Sequence, residues 1–186
     1  MASLQSLSSC GALLLLLLVP DACMASTKTT LQDKCDAYAA GDRTSYDYCM
    51  KTLLADRKSV SADTLGLAVI VLRIGRATAK ATADKIAQRQ GVETVPTRRD
   101  CLATCATEYA AAVRRLGRAA RDAAQGDLQG AQNLLAEVTG TTARCEAAFA
   151  AAGQSSPLSG ADRELDDQLE LAISFLPSPP LPAGAS

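Results

Sequence analysis

The sequence predicts an all-α fold, an up-down-up-down four-helix bundle with an N-terminal helical hairpin. Three observations point there. Alanine dominates the apolar residues and aromatics are scarce, with four Tyr, two Phe and no Trp. Small side chains let helix axes approach, whereas sheet cores draw on β-branched and aromatic residues. From Leu102, apolar positions recur through Cys105, Tyr109, Ala112, Leu116, Ala119 and Ala123 in steps of three and four without a miss. That is the pattern of one buried helix face. Four amphipathic segments of this kind follow residue 60, separated by short breaks, and such segments pack most simply as antiparallel neighbours.

Taken in order, residues 1–25 read as a secretory signal. Gly11 to Val19 is apolar, with six consecutive leucines from Leu13 to Leu18, too short a run to span a bilayer. Small residues at Ala25 and Ser26 suit cleavage after Ala25, although no Lys or Arg precedes the run. No second apolar run reaches transmembrane length. The expected mature chain is therefore soluble and extracellular or vacuolar. Loss of Asp21 leaves 19 basic and 19 acidic residues. That balance gives no reason to expect a nucleic-acid or membrane partner.

Residues 26–60 read as the hairpin. Thr29 to Ala40 and Tyr46 to Ala55 form two short helices around a turn at Gly41-Asp42. Residues 61–176 hold the bundle. Its first helix runs from Ala62 to Gln90, capped by Ser61 and stopped by Gly91, with Leu65, Ala68, Val69, Leu72, Ala79, Ala83 and Ile86 on one side. The second starts at Thr97, with Asp100 completing a variant capping box, and ends near Gly126. The third is expected as one helix from Ala131 to Ala152, with Leu135, Val138, Thr142, Cys145, Phe149 and Ala152 as its stripe. The fourth follows Ser159 and carries Leu165, Leu169, Ala172, Ile173 and Leu176 up to Pro177. The Pro-rich tail, residues 177–186, is expected to be disordered.

Of seven cysteines, the signal removes Cys10 and Cys23. The five that remain suit two disulfides and one free thiol in a secreted chain. Cys35 and Cys49 are close enough in sequence to staple the hairpin. For the second bridge, the inter-helix loop sets heights. Cys145 stands 15 residues past Gly130, roughly 22 Å up at 1.5 Å per residue, while Cys105 stands about 31 Å and Cys101 about 37 Å above the same loop. Cys105 is the nearer match and lies on the buried seam. Cys105–Cys145 is therefore the expected bond and Cys101 the free thiol. With no His and no C-x-x-C pair, a zinc site is not expected.

The same lack of His removes an imidazole base and every Ser-His or Cys-His arrangement. There is no G-x-x-x-x-G-K or G-x-G-x-x-G phosphate cradle. The acids Asp162, Glu164, Asp166, Asp167 and Glu170 read as a solvated face favoured by the helix dipole. Expected, then, are no catalytic residues, no cofactor and no metal, which leaves a binding or inhibitory module. The candidate partner contacts are Arg114, Arg115, Arg118 and Arg121 on the second bundle helix, and Asp127, Leu128 and Gln129 in the loop after it. An arginine row of this kind can pair bidentately with carboxylates.

Several motifs then fall in a familiar order. They are Cys35, Thr44-Ser45-Tyr46-Asp47-Tyr48-Cys49-Met50-Lys51-Thr52-Leu53, Ala55-Asp56-Arg57-Lys58-Ser59, Cys105 four residues before Tyr109, Cys145-Glu146-Ala147-Ala148-Phe149, and Ser156-Pro157-Leu158. In order and spacing, over nearly the whole mature chain, they resemble the plant invertase and pectin methylesterase inhibitor family, with the Y-D-Y-C element most similar to its pollen-type branch. The resemblance implies a hairpin-capped four-helix bundle with two disulfides, often a spare cysteine, and stoichiometric inhibition of a cell-wall enzyme by a chain that is monomeric when unbound.

Two targets follow from the resemblance, and fold does not separate them. Members that inhibit invertase insert a Pro-Lys-Phe element into the sucrose site. This chain has Gly126-Asp127-Leu128-Gln129-Gly130 there instead. Leu134-Leu135-Ala136-Glu137-Val138-Thr139 likewise departs from the V-S-A-A-L-T of the methylesterase inhibitors. Pectin methylesterase is the favoured target, invertase (a β-fructofuranosidase) the alternative. A storage or defence protein on the same scaffold is the third reading.

Overall fold

The computed structural model describes residues 28–177. The expected signal peptide and all of the tail past Pro177 lie outside the described residues. Those described form seven α-helices and one 3-10 turn, with no strand among them.

The hairpin comprises α1 (Thr30–Ala39) and α2 (Arg43–Leu54). Thr29 starts α1 with a reciprocal capping box, its side chain accepting from Gln32 N–H while Gln32 Oε1 accepts from Thr29 N–H at 2.9 Å, so two otherwise orphaned donors are satisfied. Ala40 and Gly41, at φ +48° and +94°, turn the chain. Asp42 then caps α2 by accepting from Ser45 N–H at 2.8 Å. Cys35 and Cys49 bond across the pair with Cα atoms 5.6 Å apart, and both are fully buried.

A 3-10 turn, Arg57–Ser61, leads into α3 (Thr64–Val92). The cap is Asp63, accepting from Gly66 N–H at 2.7 Å, not Ser61, which the turn absorbs. The turn is held by Ser59, whose buried hydroxyl donates to Leu53 O at 2.7 Å. The next helix, α4, spans Pro96–Ala124. Its expected Thr97–Asp100 capping box does not form, because the helix starts one residue earlier with proline in its first position and no side-chain cap. Proline suits that place, having a preset φ and no N–H to satisfy.

The expected single third helix is two, α5 (Leu128–Val138) and α6 (Thr141–Ala151). Thr139 leaves the helical region at ψ 128°, and Gly140 sits at φ +89°, a conformation that glycine adopts without penalty. The observed helix ends, with the break, also close the height mismatch. Cys105 stands 19 residues before the end of α4 and Cys145 17 residues after the start of α5. At 1.5 Å per helical residue and ~3.3 Å for the extended Thr139, the two heights are roughly 28 Å and 27 Å. They bond with Cα atoms 4.7 Å apart.

Finally, α7 spans Ser159–Phe175. The helices pack around the bundle in chain order: α4 on α3, α5 and α6, then α7 on α6 and back on α3. The hairpin sits against α3 and α7. The core gathers every position of the α4 seam, with Leu53, Leu67, Leu72, Ile86, Phe149, Leu165, Leu171 and Phe175. Ile173 is a correction: expected on the α7 stripe, it is 53% exposed, and the buried positions are Leu171, Ala172 and Phe175. No described helix is long and apolar enough to cross a membrane.

Candidate partner interface

Along α4 the seam residues face inward, so the positions between them turn outward. Arg114, Arg118 and Arg121 are exposed there, and Arg115 is half-buried. Arg115 is already engaged, its Nε donating to Glu137 of α5 at 2.6 Å. The four arginines border a cleft of about 560 Å³ between α3 and α4, lined also by Ala111, Val113, Gly117 and Arg76 of α3.

Arg76 was not among the sequence candidates, since a single-helix pattern says nothing about which residue of a neighbour meets it. One signal was readable: Gly117 interrupts an arginine-rich stretch of good helix formers. A Cβ at Gly117 would stand 2.9 Å from Arg76 Nε, so the missing side chain lets this guanidinium lie against α4.

The loop candidates are not part of the cleft. Asp127 caps α5, its Oδ1 accepting from Gly130 N–H at 2.8 Å. Leu128 is half-buried against the core. Gln129 is exposed and donates to Asn133 at 2.9 Å. Asp127 and Gln129 are both exposed. Cys101, the cysteine outside both bonds, is buried at 5% exposure and its thiol donates to Ala148 O at 3.3 Å.

The acidic start of α7 is not uniformly solvated, which corrects the sequence reading. Asp162 is 3% exposed and accepts the hydroxyl of Tyr109 from the α4 seam. Burial, then the neighbouring Glu146 of α6, push its pKa up to about 7. Asp162 Oδ2 is buried and finds no donor among the described residues. A proton on Asp162, aimed at Glu146, would satisfy it. Glu146 in turn is held below the usual carboxylate range, first by that hydrogen bond and then by Ser156 and Ser159. Asp166 accepts from Thr142 at 2.7 Å. The group thus ties α4, α6 and α7 together. No cluster of three metal-ligating side chains occurs among the described residues.

The framework is a disulfide-linked helical bundle with an arginine-lined face on α4. The family model described as plant invertase/pectin methylesterase inhibitor matches residues 18–173, and the chain belongs to that family of proteinaceous enzyme inhibitors. Two solved structures share its fold. One, a mutant form of a pectin methylesterase inhibitor from Arabidopsis, superposes with a TM-score of 0.65 at 19% identity, covering 82% of this chain and 100% of that one. The other, a pectin methylesterase inhibitor from Arabidopsis thaliana, gives 0.59 at 18% identity, covering 80% and 97%. No curated protein sequence matches it.

Proposed function

We propose that the chain is a secreted inhibitor of pectin methylesterase, acting in the cell wall by reversible one-to-one occlusion of the enzyme's active-site cleft. The observation that carries this reading is the arginine row of α4. Arg114, Arg118 and Arg121 stand exposed on a helix tied by Cys105–Cys145 to its neighbour. A preorganised surface lowers the ordering cost of binding, and arginine pairs bidentately with carboxylates. The absence of Pro-Lys-Phe from 126–130 favours the esterase over invertase. Both similar solved structures are of esterase inhibitors. Arg115 supports the row through Glu137, and Gln129 extends it past the α4–α5 turn. With Cys101 buried, no free surface thiol is on offer among the described residues to link two copies, which suits a monomer when unbound.

The test is titration of the purified chain into a pectin methylesterase and an acid invertase. Saturable, salt-weakened inhibition of the esterase alone is expected, since exposed charge pairs are screened. Arg114→Glu with Arg118→Glu reduces inhibition by tenfold or more, about 1.4 kcal/mol, with helical content and melting unchanged. Inhibition of invertase alone selects the alternative target. No effect on either enzyme leaves the storage or defence reading.

A further inference from the structure

Guanidinium groups brought together repel one another unless an anion joins them. In the α3–α4 cleft, Arg115 has Glu137, but Arg76, Arg114, Arg118 and Arg121 have no ion-pair partner among the described residues. No carboxylate lines the cleft. We propose that it is a binding site for a polyuronate, a linear polysaccharide carrying one carboxylate per sugar, which the chain holds by itself with no enzyme present.

Shape and spacing choose the ligand. Arg114, Arg118 and Arg121 are four and three residues apart on α4, so they form a row with axial steps of roughly 6 Å and 4.5 Å. A row asks for several anions in line, not one. Arg76 reaches the row from α3, in the space that Gly117 leaves, so charge comes from both walls. Each guanidinium offers a planar fork matched to a carboxylate. Ala111 and Val113 supply aliphatic wall between the charges, where the apolar face of a sugar ring can rest. Single-stranded nucleic acid is a poorer fit, because binding there relies on aromatic platforms for the bases and no aromatic residue lines this cleft. The inference stands on the cleft and holds whether or not the chain restrains an esterase.

The experiment is a calorimetric titration of the intact mature chain with an oligogalacturonate at low salt. Saturable binding is expected, weakened by added salt and lost when the oligomer is fully methyl-esterified. Two variants read the geometry. Arg76→Gln weakens binding about tenfold, the worth of one charged hydrogen-bond set, whereas Arg73→Gln, an exposed arginine of α3 outside the cleft, leaves it unchanged. Gly117→Ala removes no charge, yet it displaces Arg76 and also weakens binding. Circular dichroism confirms that the variants fold. No binding at low salt overturns the proposal, as does an equal loss with Arg73→Gln. Equal affinity for a heparin fragment and for a DNA oligonucleotide of the same charge overturns the uronate assignment. Inhibition is assayed separately, so failure here and failure of the inhibitory reading are told apart.

Discussion

Asp162 carries the clearest consequence of a single side chain. Burial, then Glu146, favour the protonated form of its carboxyl and raise its pKa to about 7, with Tyr109 donating to Oδ1 and Asp166 and Arg163 nearby. The folded chain therefore binds this proton more tightly than the unfolded chain does. Stability from the Asp162 proton is fully present below about pH 4 and is lost as pH rises through about 7. Glu146 works in the opposite sense, its contribution lost only as pH falls below its ordinary range. Thermal melting should thus be highest in weak acid and lower at pH 8, by an amount of roughly 2–4 kcal/mol in stability. Asp162→Asn keeps both hydrogen bonds but cannot ionise, so its melting temperature should be nearly flat over that range. A variant as pH-sensitive as the parent would place the titrating group elsewhere. Nothing in the sequence marks Asp162 apart from Glu164 or Asp167, because an acid in the first turn of a helix reads the same in solvent or over a core. Only the fold brings Tyr109 and Glu146 to it.

Among the elements, the divided third helix shows both what periodicity reveals and what it hides. The apolar stripe Leu135, Val138, Thr142, Cys145, Phe149 continues in phase across the break, so it reads as one helix. Four of these five are apolar and all five are buried in the structure. The break lies in Thr139-Gly140-Thr141, where a glycine adopts φ +89°, and one glycine within a helical pattern is an ambiguous signal. For α4, by contrast, every seam position was legible, since six successive steps admit one helix face only. Its cap was not, because Pro96 and Thr97 are both good starts. The cleft was half legible: the arginines of α4 stand in one run, but Arg76 enters through helix–helix register. Gly140→Ala should destabilise the bundle by about 1–2 kcal/mol, the cost of a left-handed backbone for a residue with a Cβ, and lower melting by several degrees. An unchanged or raised melting temperature would mean that Gly140 is not held in the left-handed region.

Charge is unevenly spread over the described residues. The α3–α4 cleft is lined by five arginines, while exposed Glu164, Asp167 and Glu170 lie on α7, which packs chiefly on α3 and α6. A chain of near-zero net charge can therefore present a strongly cationic side to an acidic partner, and field shape rather than total charge steers such encounters. The two cross-links add a different property. Cys35–Cys49 encloses the turn at Gly41, and Cys105–Cys145 encloses the exposed turn at Gln125, Gly126 and Asp127. Exposed turns are where proteases cut. A chain clipped at either turn should stay in one piece, running as a single band without reductant and as two with it. Clipped at 125–127, the two fragments would still find each other as parts of one molecule. Unfolding would then stay reversible and independent of concentration, so proteolytic damage would not by itself disperse the molecule.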